Sequence, residues 1–331
     1  MTRYLLKRIL LMIPTLIAIT FITYAMVRLA PGDYSKLKLS AGGELKEGSV
    51  TKSILEEERK LFGLDQPVYK GYFTWLGKVM VLDFGNSRKD GRPVLTRLKE
   101  TVPVTMLLVI LSILLEYIIS IPLGIIAAVK KDSVFDRGSS IVLFVLYSLP
   151  SFWVGLLLIL FFASGEYFNL FPLNGWISEW AEDLPGWQRF FNVAWHLVLP
   201  VITMTYGSFA FLSRYSRANM LEVINKQYIT TAVAKGLSSN RVIFVHAFRN
   251  SLIPLVTLMA SVLPALLGGN VIVESIFSIP GMGNLAFEAI GTRDIPVIMA
   301  ITSISAFLTL LGILIVDIIY GLIDPRIRVE R

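Results

Sequence analysis

The chain has no cysteine. Disulfides and thiolate metal sites are therefore excluded. Histidine is nearly absent: His196 and His246 lie far apart in sequence, and a protein zinc site draws three or four nitrogen, sulfur or carboxylate ligands together. Charge is also scarce, at 17% of residues against roughly a quarter in a soluble domain. No Gly-x-x-x-x-Gly-Lys-Ser/Thr stretch occurs, so no P-loop is present to cradle phosphates, and any ATP chemistry belongs to a partner. No Gly-x-Ser-x-Gly elbow occurs either. Together with the missing cysteine and scarce histidine, this argues against a membrane-embedded hydrolase.

In place of these the chain is apolar: 54% of its 331 residues are hydrophobic. They gather into six runs, Ile9–Val27, Val102–Val129, Ser139–Ser164, Ala194–Ser213, Ser251–Val273 and one within Ile295–Gly321. Each is long enough, above about 18 residues, to cross a hydrocarbon core of about 30 Å. The first follows Arg3, Lys7 and Arg8, as a signal peptide would. It is long for one, however, and Arg28-Leu29-Ala30-Pro31 makes a poor cleavage site, so it reads as an uncleaved span.

Between the first two runs lies a polar insert. Ser49 or Thr51 is placed to cap a helix through Glu56, Glu57, Glu58, Arg59 and Lys60, which Gly63 closes. Pro67 starts a second helix with Val68, Tyr72, Trp75, Leu76 and Val79 on one side, so the insert has apolar residues to bury. After the third run, a loop to about Asn192 carries Trp176, Trp180, Trp187, Phe190 and Phe191. These amphipathic rings suit the headgroup level better than a sugar-stacking site.

Orientation follows from Lys and Arg. The N-terminus, residues 130–138, residues 214–250 and the C-terminus carry 15; the opposite short loops carry 2, Arg189 and Arg293. The insert's 14 weigh little, because long loops translocate largely regardless of charge. Both termini and loop 214–250 are thus expected in the cytoplasm and the insert outside. The net charge of +7 is explained by this topology rather than by nucleic acid. The expected architecture is all-α: six transmembrane helices and a small helical external insert. It divides into a first span at 1–30, the insert at 31–100 and a permease core at 101–331.

The cytoplasmic loop 214–250 is the informative stretch. Gln227 to Lys235 reads as a short helix that Gly236 ends, because glycine enters the left-handed region at no steric cost. Ser238, Ser239 or Asn240 can cap a second helix from about Arg241 to Asn250. The first helix is too short to be stable alone in water. Thr230, Thr231, Ala232, Ala234 and Gly236 permit close approach by another surface. An ordinary positive-inside loop explains the basic residues; a docking helix explains the small ones.

Thr230-Thr-Ala-Val-Ala-Lys-Gly236 resembles the EAA loop of bacterial ABC-importer permeases, Glu-Ala-Ala followed three residues later by Gly. Here Thr230 replaces the Glu. Extended through Gln227, Tyr228, Leu237 and Arg249-Asn-Ser-Leu-Ile-Pro254, it looks like the oligopeptide/dipeptide branch. Tyr4-Leu-Leu-Lys-Arg-Ile9, Ala30-Pro-Gly-Asp33, Phe62-Gly-Leu-Asp-Gln-Pro67, Leu82-Asp-Phe-Gly-Asn-Ser87, Ser148-Leu-Pro-Ser-Phe-Trp153 and Glu274-Ser-Ile-Phe-Ser-Ile-Pro-Gly-Met-Gly283 are similar to that family's landmarks. The resemblance implies a prokaryotic cytoplasmic-membrane permease that is not itself an enzyme and binds no cofactor or metal. Its implied partners are a second homologous permease subunit, two cytoplasmic P-loop ATPase subunits carrying ATP-Mg, and an external solute-binding lipoprotein. It implies coupling to the ATPases through Gln227, Tyr228, Thr231, Ala232, Lys235, Gly236, Leu237, Arg249 and Pro254. The cargo is then a di- or oligopeptide, although relatives with this signature also carry nickel or oligosaccharides.

Three features admit other readings. Gly281-Met-Gly-Asn-Leu-Ala286 fits a dinucleotide fingerprint, but Asp294 comes too early for the ribose acid and no β-α-β unit surrounds it. Glu116 and Asp317 stand inside spans, where a carboxylate costs about 2.5–3.5 kcal/mol. They would serve a proton-coupled carrier, but without intramembrane Lys or Arg partners they make a poor relay, and no inverted repeat accompanies them. Pro122, Pro150, Pro200 and Pro264 interrupt spans and permit bends. Ser148, Pro150, Ser151 and Trp153 are candidates for the translocation pathway.

Overall fold

The computed structural model describes residues 2–29, 66–181, 183–258 and 262–323. Within them the fold is helical; the only extended pairing is an isolated bridge, Asn86 to Pro93. The helices are α1 (Thr2–Leu29), α2 (Val68–Met80), α3 (Val94–Val129), α4 (Val134–Ser148), α5 (Ser151–Phe162), α6 (Gly186–Ile224) and α7 (Gln227–Ala234). A contiguous helical run follows: α8 (Ser239–Arg241), a π-helical stretch (Val242–Phe248) and α9 (Arg249–Leu258). The rest are α10 (Val262–Gly268), α11 (Val271–Ile276), α12 (Met282–Gly291) and α13 (Ile295–Ile323).

Prolines mark the helix starts. Pro67, Pro93, Pro150 and Pro185 stand immediately before α2, α3, α5 and α6, each with φ between −53° and −63°. The ring fixes φ near this value, and a helix start loses nothing by the missing N–H. Two helices are instead capped by side chains: Ser133 accepts from Asp136 N before α4, and Asn270 from Val273 N before α11.

The spine is α3 packed along α6. With 36 and 39 residues they are about 54 and 58 Å long, well beyond a core of about 30 Å. The second and fourth apolar runs are therefore the middles of longer helices. Helices α4 and α5 pack on α6, and α1 and α10 on α13. Inside the spans, several hydroxyls bond back to their own helix, Ser112 Oγ to Leu108 O, Thr203 Oγ1 to Leu199 O and Ser303 Oγ to Met299 O, while Ser120 Oγ and Ser213 Oγ are buried without a partner among the described residues. The bonds back to the helix keep those polar atoms satisfied where water is absent.

Among the described residues four helices, α1, α3, α6 and α13, are each long and apolar enough to cross a membrane. The third apolar run is not straight. Helices α4 and α5 meet at 94°, because Leu149 and Pro150 are extended (ψ 130° and 135°). Tyr206 of α6 donates to Leu149 O at 2.7 Å and holds the bend. The fifth run is divided among α9, α10 and α11, with residues 259–261 between α9 and α10 outside the described residues. The helix expected from Ser49 to Gly63 also lies outside them.

The described end of the insert is folded. Tyr24, Tyr72, Trp75 and Met299 bury one another where α1, α2 and α13 meet. Thr20 Oγ1 lies 2.9 Å from Tyr72 OH, and that hydroxyl donates to Ile17 O at 3.1 Å. Farther along, Asp294 is fully buried; it accepts from Ser87 Oγ and, at 3.0 Å, from Arg88 N. Arg97 reaches Glu288 at 2.8 Å and Asp294 at 3.7 Å. Beside it, burial pushes the Asp90 carboxyl up, but the Arg92 N–H and the charges of Arg97 and Arg92 hold it below its ordinary value. The loop expected to reach Asn192 ends earlier: Trp187, Phe190 and Phe191 lie on the first turns of α6 and are exposed, as is Trp180, while Trp176 is half-buried. His196 is a satisfied structural residue, bonded to Asn192 O and Ser178 Oγ.

Candidate coupling site

The short helix α7 is stable here because it is not alone. Ile229 and Ala232, three residues apart and so on one helix face, enter a cluster with Ile125 and Ala128 of α3, Met220 and Val223 of α6, and Val242 and Ala247 of the π-helical stretch. Leu237 packs against the same cluster. The opposite face, with Gln227, Tyr228, Thr230, Thr231 and Val233, is exposed, as are Lys235 and Gly236. The contact set expected above includes Ala232 and Leu237. The structure turns both inward, because the i, i+3 spacing from Ile229 places Ala232 on the seated side.

Gly236 has φ +79°, and its N–H closes the last turn on Val233 O at 2.9 Å. A Cβ there would meet nothing within 4 Å. Glycine is required by conformation, not by space. The chain then re-enters a helix at Ser238, whose carbonyl accepts from Val242 N. The expected second helix does not stop near Asn250; it runs through the π-helical stretch into α9 without a break. Asn250 Nδ2 donates to Tyr228 OH at 3.1 Å and to His246 O at 2.8 Å, tying α7 to the start of α9. Arg249 is exposed and Pro254 half-buried on α9. A π-helical stretch strains helical register and recurs at functional sites.

Next to this unit is a bracket that sequence reasoning missed. Arg217 of α6 donates to both oxygens of Asp136, Nε at 2.6 Å and Nη2 at 2.5 Å. Asp136 is buried, and Asp132 N also donates to it. The first turn of α4 is thereby fixed to α6 one turn before Met220. Charge counting assigns such residues to a side and stops there. The available signal was Ser133-Val-Phe-Asp136, the spacing of a capping box.

Between α4 and α6 lies a groove of about 580 Å³. It is lined by aromatic rings, among them Phe144, Tyr147, Phe211 and Tyr215, and by Arg214, which donates to Ser140 Oγ. It adjoins the α4–α5 bend, where Ser148, Pro150 and Trp153 are exposed and Ser151 is half-buried.

The two intramembrane acids are separated. Glu116 is half-buried on α3. Asp317, expected to lack a basic partner, has one: Arg8 Nε of α1 stands 3.2 Å from its Oδ2. The pair was not legible because it joins the first and last spans. Arg8→Ala is expected to lower thermal stability by about 1–3 kcal/mol, between the exposed and buried limits for ion pairs. Asp317→Asn in the same chain should restore most of it; no recovery would mean that Arg8 acts through packing alone. Among the described residues no group of three or more metal-ligating side chains occurs.

The chain matches two family models that together cover most of its length. Residues 1–109 match the N-terminal component of binding-protein-dependent transport system membrane proteins, and residues 120–329 match the binding-protein-dependent transport system inner membrane component. It is 38% identical over 329 residues to the oligopeptide transport system permease protein AppB of Bacillus subtilis, covering 99% of this chain and all of that protein. It is 34% identical over 351 residues to the dipeptide transport system permease protein DppB of Escherichia coli K12, covering both in full. A di/tripeptide permease of Pseudomonas aeruginosa is 36% identical over 344 residues, again covering both in full. A multi-helical membrane chain with these matches belongs to the family of binding-protein-dependent transport system inner membrane components, the permease subunits of such transporters.

Proposed function

We propose that this permease imports di- and oligopeptides by alternating access, driven by ATP hydrolysis on separate cytoplasmic subunits. The observation that carries the reading is α7: a short helix seated on its own chain by one face, presenting the other, and joined through Gly236 to a helical run that continues into the fifth apolar segment. Gln227, Tyr228, Thr231, Lys235 and Gly236 form the surface that an ATPase subunit grips. Ala232 and Leu237 seat the helix. Arg249 and Pro254 lie on the segment that carries the movement inward.

In this reading six spans cross a prokaryotic cytoplasmic membrane with both termini and α7 inside. The insert and the α11–α12 region face outward and receive solute from a binding lipoprotein. A second homologous permease completes the pathway, which runs past Ser148, Pro150, Ser151 and Trp153. The peptide assignment is supported by relatives named for oligopeptides, dipeptides and di/tripeptides. The proton-coupled alternative loses support from the Arg8–Asp317 pair, which occupies one of its two acids.

The test is reconstitution of the assembled transporter in vesicles with labelled dipeptide, nickel or an oligosaccharide as competing cargoes. ATP inside a coupled system should drive dipeptide uptake, and a pH gradient without ATP should not. Uptake by this chain alone on a pH gradient would overturn the reading. Competition by nickel or oligosaccharide alone would overturn the cargo.

A further inference from the structure

The glycine-rich stretch after α11 has no part in the coupling described above. It does, however, form a cradle. What lies in the cradle is a carboxylate of the same chain, Glu274, which is fully buried.

Glu274 Oε1 accepts from Thr105 Oγ1 at 3.1 Å and from Asn270 N at 3.2 Å; Oε2 accepts from Asn284 N at 2.9 Å. Thr105 Oγ1 in turn accepts from Met282 N at 2.7 Å. Met282 and Asn284 are the first and third residues of α12, whose leading N–H groups have no partner within the helix. They are satisfied from two other elements, α11 and α3. Gly281 precedes α12 with no side chain to cap it. The positive end of the helix and the converging N–H groups offset the cost of burying the carboxylate.

The glycines make this approach possible. A Cβ on Gly269 would lie 2.5 Å from Glu274 Oε1, on Gly281 2.5 Å from its Cδ, and on Gly283 3.0 Å from Oε2 and 2.7 Å from Val271 N. Gly269 also has φ +63°.

The carboxylate sits where two hydrophobic clusters meet. Val273, Phe277 and Ile279 belong to one, with Val104 and Leu108 of α3 and Leu197 and Leu199 of α6. Met282, Leu285 and Ala289 of α12 belong to the other, with Val94 and Leu98 of α3 and Val297 and Ala300 of α13. The chain passes from one cluster to the other through the Ile279–Met282 turn.

We infer that Glu274 is a positioning residue that locks α11, α12 and α3 into one block, so that the two clusters move together when the transporter changes state. The glycine motif is its socket, not a nucleotide site. The mechanical role rests on the alternating-access reading; the lock itself is measured independently of transport.

The chain has no cysteine of its own. Cysteines at Ile272 on α11 and Phe287 on α12, both exposed, can therefore carry spin labels for distance measurement in the assembled transporter, with the unsubstituted complex as background. The wild-type pair should give one narrow distance distribution. Glu274→Ala should broaden or split it and lower uptake per ATP. Thr105→Val should act in the same direction, and Thr105→Ser, which keeps the hydroxyl, should behave as wild type. If Glu274→Ala fails to assemble, the Thr105 pair decides. A wild-type distribution in Glu274→Ala, or in Thr105→Val where that pair decides, overturns the lock. A broadened distribution with unchanged uptake per ATP overturns its mechanical role. Absence of ATP-driven uptake in the wild type would instead count against the transport reading and leave the distance result standing.

Discussion

Gly236→Pro is expected to abolish ATP-coupled uptake while the chain still reaches the membrane. The native φ is +79°, and proline holds φ near −65°. Proline also removes the N–H that closes α7 on Val233 O. Loss of the turn and its bond costs more than the left-handed backbone does alone, and the loss is borne by the joint between α7 and the run into α9. Gly236→Ala isolates the conformational part. No atom stands within 4 Å of the added Cβ, so only the left-handed backbone opposes it, by about 1–2 kcal/mol. Uptake should therefore rank wild type, alanine, proline. The ATPase activity of the partner subunits, measured in the same vesicles, separates loss of coupling from loss of assembly. Wild-type uptake by the proline variant would remove α7 from the coupling path.

The second large effect is expected at Arg217. Its guanidinium holds both oxygens of a buried carboxylate. Arg217→Ala leaves Asp136 with only the Asp132 N–H and the charge of Arg214, and breaking a buried pair in this way costs up to about 3–5 kcal/mol. The net worth of an intact buried pair against a well-packed neutral replacement is far smaller. Hence the double variant Asp136→Asn with Arg217→Leu should recover more than half of the stability that Arg217→Ala loses, as read by thermal unfolding of the purified transporter. If the double variant is no better than the single, the carboxylate is not what the arginine serves. The bracket fixes α4 to α6 beside the residues that seat α7, so uptake should follow the same order.

Hydropathy located helices α1, α3, α6 and α13, because a run of apolar residues in lipid has little choice but to be helical. It underestimated their lengths. The second run begins at Val102, yet α3 begins at Val94; the fourth ends at Ser213, yet α6 continues to Ile224. A helix does not stop where its residues turn polar when neighbours such as Met220 and Val223 still have a cluster to fill. Pro150 was visible as an interruption, but hydropathy is blind to direction, so the 94° turn was not. Around α7, glycine chemistry placed the break at Gly236 correctly. Which face of α7 is seated depends on Ile125 and Ala128 of α3 and on Met220 and Val223 of α6, so the inward packing of Ala232 and Leu237 was not legible. The pairs Asp136–Arg217, Arg8–Asp317 and Ser87–Asp294 join distant segments, and no local pattern announces them.

The π-helical stretch at Val242–Phe248 bears on how this segment tolerates change in chain length. A π-turn holds one residue more than an α-turn. Deleting one residue there would let the backbone relax into ordinary α-helix with its hydrogen bonds still made. The side chains of α9 would keep about the same angle, because the wider turn is what absorbs the extra residue, so Asn250 would still face Tyr228 and Ser251 would stay buried. The stretch thus acts as slack: it stores one spare residue without changing the angle at which α9 leaves the cluster that seats α7.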